Sequence, residues 1–130
     1  MPSRSAIMCV DDEEMILLSL KQELMGHFGA RFHYETALSA PEALTIIDEL
    51  VEGGIRVILI LSDWLMPGMN GDEFLVKVYE KYPEIRALMI TGYADMMSIS
   101  IKQDKINLKG VIHKPWDSRD LLQQVEACVG

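Results

Sequence analysis

Short apolar runs alternate along this chain with longer stretches in which apolar residues recur at helical spacing. Residues 6–10, 57–61 and 87–91 are apolar almost throughout and have the length of a strand. Such runs are typical of parallel strands that are buried on both faces. Residues 31–37 and 110–113 are less regular candidates of the same kind. The pattern therefore predicts five strands.

A helical stretch follows each predicted strand. Asp11 or Asp12 is placed to cap the first helix, in which Leu17 and Leu24 share one face. Ser39 lies three residues before Glu42, a capping box that predicts the start of the second helix. The later helices are predicted from Asn70 to Pro83, over residues 96–108, and after Asp117, which is placed to cap the last one.

Five strands that alternate with five helices predict an α/β fold. Strand-helix alternation produces a parallel sheet with right-handed crossovers and helices on both faces, which is a doubly wound arrangement. We expect one domain over residues 1–130, with its core at about residues 6–128. In such folds ligands bind outside the carboxyl ends of the strands.

Composition excludes several classes of function. The chain has 130 residues, of which 49% are hydrophobic, and a formal net charge of −8. An acidic surface argues against direct binding to nucleic acid or to an anionic membrane. No apolar run has the length that a bilayer span requires, and the first residues lack a signal region. With Cys9 and Cys128 interpreted as buried free thiols, we expect a cytoplasmic location.

Polar residues with one shared chemistry stand at the predicted carboxyl ends of four strands. Asp11 and Asp12 follow the first strand, Asp63 the third, Thr91 ends the fourth, and Lys114 follows the fifth. Each has an ordinary explanation alone, as a helix cap, a turn or a solvated loop. Together, three carboxylates repel one another unless a cation such as Mg²⁺ joins them, and a lysine and a hydroxyl suit a phosphate. The combination predicts transfer of a phosphoryl group to an aspartate.

Four short motifs carry a resemblance to a known family. They are VDDE at 10–13, SDWLMPGMNG at 62–71, ITG at 90–92 and HKPW at 113–116. With these motifs in this order, the chain resembles a bacterial response-regulator receiver domain of two-component signalling. The resemblance implies a flavodoxin-like three-layer sandwich with a parallel sheet in the order 2-1-3-4-5 and five helices.

The resemblance also implies roles for individual residues and a Mg²⁺ cofactor. Asp63 is similar to the phosphoacceptor, and the switch hydroxyl and the phosphate-pairing lysine are matched by Thr91 and Lys114. The remaining positions resemble metal ligands: Asp12 directly, Asp11 through water, Asp63 itself, and Leu65 through its backbone carbonyl.

Partners and the route of the signal are implied in the same way. A sensor histidine kinase or a phosphotransfer protein would supply the phosphoryl group. An output domain or effector would contact the predicted fourth helix, fifth strand and fifth helix. Met96, Met97 and Trp116 flank that face, where a contact role and core packing are both open. Receivers commonly carry an aromatic residue three positions before the lysine, but this chain has Val111, which has no ring to move.

Two other classes of function compete with a phosphorylatable switch. A Mg²⁺-dependent phosphohydrolase that forms an aspartyl phosphate needs a second acid two residues after the nucleophile, where this chain has Leu65. A nucleotide or flavin module needs a glycine-rich phosphate cradle, and neither GxGxxG nor a Walker A run follows a predicted strand. We therefore expect a signalling switch rather than an enzyme that turns over a substrate.

Overall fold

Five parallel strands form a single sheet in the order β2-β1-β3-β4-β5. The computed structural model describes residues 4–92 and 105–129. The predicted sheet and its strand order are confirmed. The strands are β1 (Ser5–Val10), β2 (His33–Ala37), β3 (Arg56–Asp63), β4 (Arg86–Thr91) and β5 (Leu108–His113), and the helices are α1 (Glu14–Phe28), α2 (Ala40–Glu52), α3 (Gly71–Lys81) and α4 (Ser118–Val129).

Two apolar cores lie on opposite faces of the sheet. On one face, β-strand residues such as Met8 and Ile60 pack with side chains of α2 and α3. On the other, their neighbours in sequence, such as Ile7 and Leu61, pack with side chains of α1 and α4. Successive strand residues point to opposite faces, so apolar runs without alternation serve both cores. The result is a helix–sheet–helix sandwich.

Two of the predicted helix caps are present. The Ser39 side chain accepts a hydrogen bond from the Glu42 backbone N–H at 3.3 Å, at the start of α2. Asp117 Oδ1 accepts one from the Arg119 backbone N–H at 2.8 Å, at the start of α4. These bonds satisfy backbone donors that the first helical turn leaves unpaired.

The prediction that Asp11 or Asp12 caps α1 is wrong. The N-cap residue is Glu13, and it makes no side-chain capping bond. Asp11 Oδ1 accepts a hydrogen bond from the Glu13 backbone N–H at 2.8 Å, before the helix begins. Its other oxygen, Oδ2, accepts a hydrogen bond from Lys114 Nζ at 2.7 Å, so both oxygens have partners outside the helix.

The fourth predicted helix is only partly testable, because Met96, Met97 and most of that stretch lie outside the described residues. Its predicted end at Leu108 is wrong, since Leu108 is the first residue of β5. The Asn107 carbonyl already accepts a hydrogen bond from the Ala87 backbone N–H at 2.9 Å. Pairing with β4 therefore takes over before the helical pattern ends. The described residues contain four α-helices, and α4 corresponds to the predicted fifth.

The helices within residues 4–92 and 105–129 were compared with the requirements of a membrane span. None of them combines the length and the apolar character that a membrane span requires.

Candidate functional site

The predicted site residues come together at the carboxyl edge of the sheet. Asp11 and Asp12 follow the last residue of β1, and Lys114 follows the last residue of β5. Asp63 and Thr91 are themselves the last residues of β3 and β4. The strand β3 is longer than predicted and carries Asp63 within the sheet, in register with Ile90 of β4. The sheet therefore fixes the backbone beneath the acid.

Local packing holds the backbone of Asp63 on its other side. The Ser62 hydroxyl donates a hydrogen bond to the Asp63 carbonyl at 2.9 Å. The Gly71 backbone N–H donates to the Trp64 carbonyl at 2.7 Å, which closes the loop between β3 and α3. A Cβ atom at Gly71 would lie 2.2 Å from the Asp63 carbonyl oxygen, so only glycine fits. The start of α3 thus presses against the acid's own peptide group.

Three carboxylates converge at this edge. One oxygen each from Asp11, Asp12 and Asp63 lies within 4.8 Å of the others. Asp11 and Asp63 are buried, whereas Asp12 is exposed. Buried like charges this close raise the free energy of the ionised state unless a cation neutralises them. Carboxylate oxygens with one side open to water are the donor set that suits Mg²⁺.

Lys114 contacts two of the three acids. Its Nζ lies 2.7 Å from Asp11 Oδ2 and 3.4 Å from Asp63 Oδ1. Its backbone N–H donates to the Thr91 carbonyl at 2.8 Å, and the Lys114–Pro115 peptide bond is cis. The side chain is only 17% exposed, so its charge is poorly screened by water. The lysine is therefore anchored to β4 and directed between the two buried carboxylates.

The surroundings of the site shift the pKa values of Asp63 and Lys114. Burial and the nearby charge of Asp11 raise the pKa of Asp63 from 3.8 to about 6, although Lys114 and the Trp64 backbone N–H oppose the rise. Burial alone would lower the pKa of Lys114, but Asp11 and Asp63 together raise it. Asp63 is therefore largely ionised at neutral pH and Lys114 is charged.

The remaining predicted residues lie at the same edge. Thr91 is 1% exposed and is in register with His113, the residue before the lysine. Leu65, two residues after Asp63, has an exposed side chain. The roles of the Thr91 hydroxyl and of the Leu65 carbonyl stay predictions. Val111 packs against the core formed with α2 and α3. Its side chain has no ring that could turn inward.

Sequence reasoning missed one residue that shapes the site and one contact of the segment that follows Lys114. Gly71 was interpreted only as part of a helix start, although its lack of a side chain is what admits Asp63. Glu23 of α1 was not singled out, yet its carboxylate accepts a hydrogen bond from the Trp116 indole. The first could have been suspected from the Asn-Gly pair; the second has no sequence signal, because 93 residues separate its partners.

Comparison with known proteins gives consistent matches over nearly the whole chain. A family model described as the response regulator receiver domain matches residues 7–126. The chain is 32% identical over 126 residues to the hydrogenase transcriptional regulatory protein HoxA of Cupriavidus necator, covering 97% of this chain and 24% of HoxA. It is 28% identical to the chemotaxis protein CheY1 of Helicobacter pylori, covering 95% of this chain and 96% of CheY1.

A solved structure has the same arrangement. A CheY-like response regulator receiver domain protein from Methanospirillum hungatei JF-1 superposes with a TM-score of 0.81 at 32% identity. The match covers 96% of this chain and 93% of that one. The chain thus spans nearly all of that structure and of CheY1, but only about a quarter of HoxA.

Proposed function

This chain belongs to the response regulator receiver domain family, and from that membership we propose that Asp63 accepts a phosphoryl group from a histidine kinase or a phosphotransfer protein. The relatives support a receiver of a two-component system and not the phosphohydrolase alternative. The observation that carries the proposal for Asp63 is the contact of Lys114 with both buried acids at the edge where the three carboxylates converge.

The proposed reaction is an in-line displacement at phosphorus. A carboxylate oxygen of Asp63 forms a bond to the phosphorus, the bond from phosphorus to the donor's imidazole nitrogen breaks, and the imidazole leaves with its bonding electron pair. With a pKa of about 6, Asp63 is largely ionised at neutral pH, and the ionised form is the nucleophile. Lys114 pairs with the added phosphoryl charge, and Thr91 supplies a hydroxyl from the neighbouring strand.

Mg²⁺ fits the donor set of this edge. We propose that Asp12 and Asp63 bind it directly, that Asp11 binds through water, and that the Leu65 carbonyl completes the protein ligands. The bound ion supplies positive charge that stabilises the phosphoryl oxygens during transfer. The mixed exposure of the acids suits an ion that keeps several waters, since Asp12 faces solvent while Asp11 and Asp63 are buried.

We further propose that the chain is a switch rather than an enzyme that turns over a substrate. Residues 1–130 form one receiver domain, with a core at about residues 6–128. Phosphorylation at Asp63 changes the binding of an output domain or effector at the face formed by the predicted fourth helix, β5 and α4. Val111 lies on β5 within this face, so transmission here does not use an aromatic ring at that position.

The test is intact-mass spectrometry after incubation with acetyl phosphate and Mg²⁺. The expected result is a gain of a single phosphoryl group, which is lost in Asp63→Asn and in the presence of a chelator. Asp48→Asn is the control, because Asp48 lies on α2, away from the site. A phosphoryl group that persists in Asp63→Asn would refute the proposed acceptor, and continuing release of phosphate in excess over protein would favour an enzyme.

A further inference from the structure

The Trp116 indole joins the connection between β5 and α4 to the helix α1. Its Nε1–H donates a hydrogen bond to Glu23 Oε2 at 2.6 Å. The ring also packs against the core that α1 and α4 share, and is partly buried there. A short bond from an indole to a carboxylate is charge-assisted and directional. Of the two roles that the sequence left open for Trp116, the structure favours packing with a specific bond.

This bond is the third anchor of the segment that carries the lysine. At one end of the segment the Lys114 backbone N–H is bonded to the Thr91 carbonyl of β4. At the other end Asp117 caps α4. Between these anchors the indole reaches α1, the helix that begins three residues after Asp11. The position of Lys114 relative to Asp11 is therefore constrained from both sides.

The Glu23 carboxylate depends on this contact. Its second oxygen, Oε1, is buried and has no hydrogen-bond partner within residues 4–92 and 105–129. A buried carboxylate oxygen that lacks a donor is costly, so removal of the indole N–H leaves the whole group unsatisfied. Glu23 would then turn towards water, and the segment would lose its link to α1.

We infer that Glu23 and Trp116 are positioning residues that hold the Lys114 ammonium group against Asp11 and Asp63. The inference rests on the proposed function, since it assigns to Lys114 the pairing with the phosphoryl group. Asp11 and Glu23 are joined through α1, and Trp116 and Lys114 are joined through the segment that follows β5. Two hydrogen bonds, Lys114 to Asp11 and Trp116 to Glu23, connect these two parts of the chain. Placing a charged group in advance removes part of the entropy loss at the transition state.

The experiment compares the rates at which variants are labelled by acetyl phosphate at saturating Mg²⁺, well below their melting temperatures. Trp116→Phe keeps an aromatic ring but lacks the donor, and Glu23→Ala lacks the acceptor. Glu23→Gln keeps a carbonyl acceptor and removes the charge. Glu126→Ala is the matched control, because it removes another contact between α1 and α4, the one from Glu126 to His27 at 3.2 Å.

We expect Trp116→Phe and Glu23→Ala each to slow labelling by about three- to tenfold. The double variant should be no slower than either single variant, because both changes remove the same bond. Glu23→Gln should be labelled much faster than Glu23→Ala, close to the rate of the natural chain. Glu126→Ala should be labelled at the natural rate. In a Lys114→Ala background, followed over longer times, Trp116→Phe should cause no further loss.

Several results would overturn the inference. These are labelling of Trp116→Phe and Glu23→Ala at the natural rate, an equal loss in Glu126→Ala, or failure of Glu23→Gln to restore the rate. A Trp116 indole N–H signal in the proton NMR spectrum that does not move in Glu23→Ala would show that the bond is absent. Failure of the proposed function is distinguishable, because the natural chain itself would then not be labelled at Asp63.

Discussion

At the scale of single residues, the site is defined by a lysine that two acids share unequally. Lys114 Nζ is 2.7 Å from Asp11 but 3.4 Å from Asp63. Asp63 therefore receives the weaker share of the positive charge, although it is buried as well. Burial and the nearby charge of Asp11 raise the pKa of Asp63 to about 6, and Lys114 at 3.4 Å offsets only part of that rise. Of the two acids that contact Lys114, the one proposed to react is the one farther from the ammonium group.

The first prediction concerns stability against pH in the absence of Mg²⁺. The folded pKa of Asp63 is about 6 and its ordinary value is 3.8. The stability that its protonated form contributes is therefore fully present below about pH 4 and is lost as pH rises to about 6. Asp63→Asn should match the natural chain near pH 4 and exceed it by about 1–3 kcal/mol at pH 7, after discounting for screening by water. Urea unfolding with a chelator measures the difference.

Asp48 supplies the control of opposite sign. Hydrogen bonds from Tyr82 and Lys81 lower its pKa below 3.8. Its stabilising contribution is therefore present above about pH 4 and is lost at lower pH. Asp48→Asn should be less stable than the natural chain at pH 7, where Asp63→Asn is more stable. A constant advantage of Asp63→Asn across the whole pH range would contradict the explanation from its raised pKa.

The site residues could be predicted from the sequence because they lie at the predicted carboxyl ends of strands. Asp11, Asp63 and Thr91 lie at or within two residues of the ends of apolar runs, and parallel strands bring such positions to one edge. The unequal sharing of Lys114 was not predictable, because it depends on side-chain distances across three strands. The hydrogen bond from Trp116 to Glu23 could not be predicted either, because it too depends on side-chain positions in the folded protein.

At the scale of elements, the start of α3 is fitted to the end of β3. Gly71 begins the helix and packs on the peptide group of Asp63, with Ser62 close to the same atoms. A loop of seven residues joins the strand to the helix, and its closing bond runs from the Gly71 N–H to the Trp64 carbonyl. Any side chain at Gly71 must displace either the helix or the acid.

The second prediction is that Gly71→Ala damages both stability and labelling. The new Cβ would lie 2.2 Å from the Asp63 carbonyl oxygen and 3.1 Å from Ser62 Oγ. Backbone must move to relieve this overlap, which typically costs about 1–3 kcal/mol. Because Asp63 is displaced, labelling by acetyl phosphate should also slow by about tenfold or more. Thermal unfolding and intact mass measure the two effects.

Gly26→Ala is the matched control for that substitution. Gly26 lies within α1, and a Cβ there would meet nothing within 4 Å. Alanine in a helix interior is favoured over glycine by up to about 1 kcal/mol, so this variant should be slightly more stable and label normally. If Gly71→Ala were as stable as Gly26→Ala and were labelled at the same rate, the expected overlap between a Cβ at Gly71 and Asp63 would be contradicted.

Helices and strands could be predicted where the apolar pattern was strong and where no tertiary contact competed with local preference at their ends. All five strands were expected, and the residues of α1 at helical spacing, Leu17, Leu20, Leu24 and Phe28, are buried as predicted. The errors lie at ends where tertiary contacts compete with local preference. Lys114 draws Asp11 away from the α1 cap, and pairing with β4 begins at Asn107, inside a predicted helix.

At the scale of the whole molecule, the site belongs to the sheet and not to any one segment. Four of the five strands supply a polar residue to it, and both cores must form before those residues meet. The cost of assembling three carboxylates is therefore carried by the whole fold. The chain also has a net charge of −8, which adds general repulsion to that local cost. A cation at this edge should stabilise the entire domain.

The last prediction is that Mg²⁺ raises the melting temperature through Asp12. A ligand at one hundred times its dissociation constant adds about 2.7 kcal/mol to a folded state that alone binds it. For a domain of this size that corresponds to a rise of about 10 °C in calorimetry. Asp12→Asn should melt slightly above the natural chain without metal, because one repelling charge is gone, and should lose most of the rise.

Glu49→Gln separates this local effect from the effect of net charge. It changes the total charge by the same amount as Asp12→Asn but lies near the end of α2, on an exposed position at the opposite edge of the sheet. It should retain the full response to Mg²⁺. If Asp12→Asn responded as strongly as Glu49→Gln, the stabilisation would come from general screening of an acidic surface. If only Asp12→Asn lost the response, the repulsion that the metal relieves would be that of the converging carboxylates.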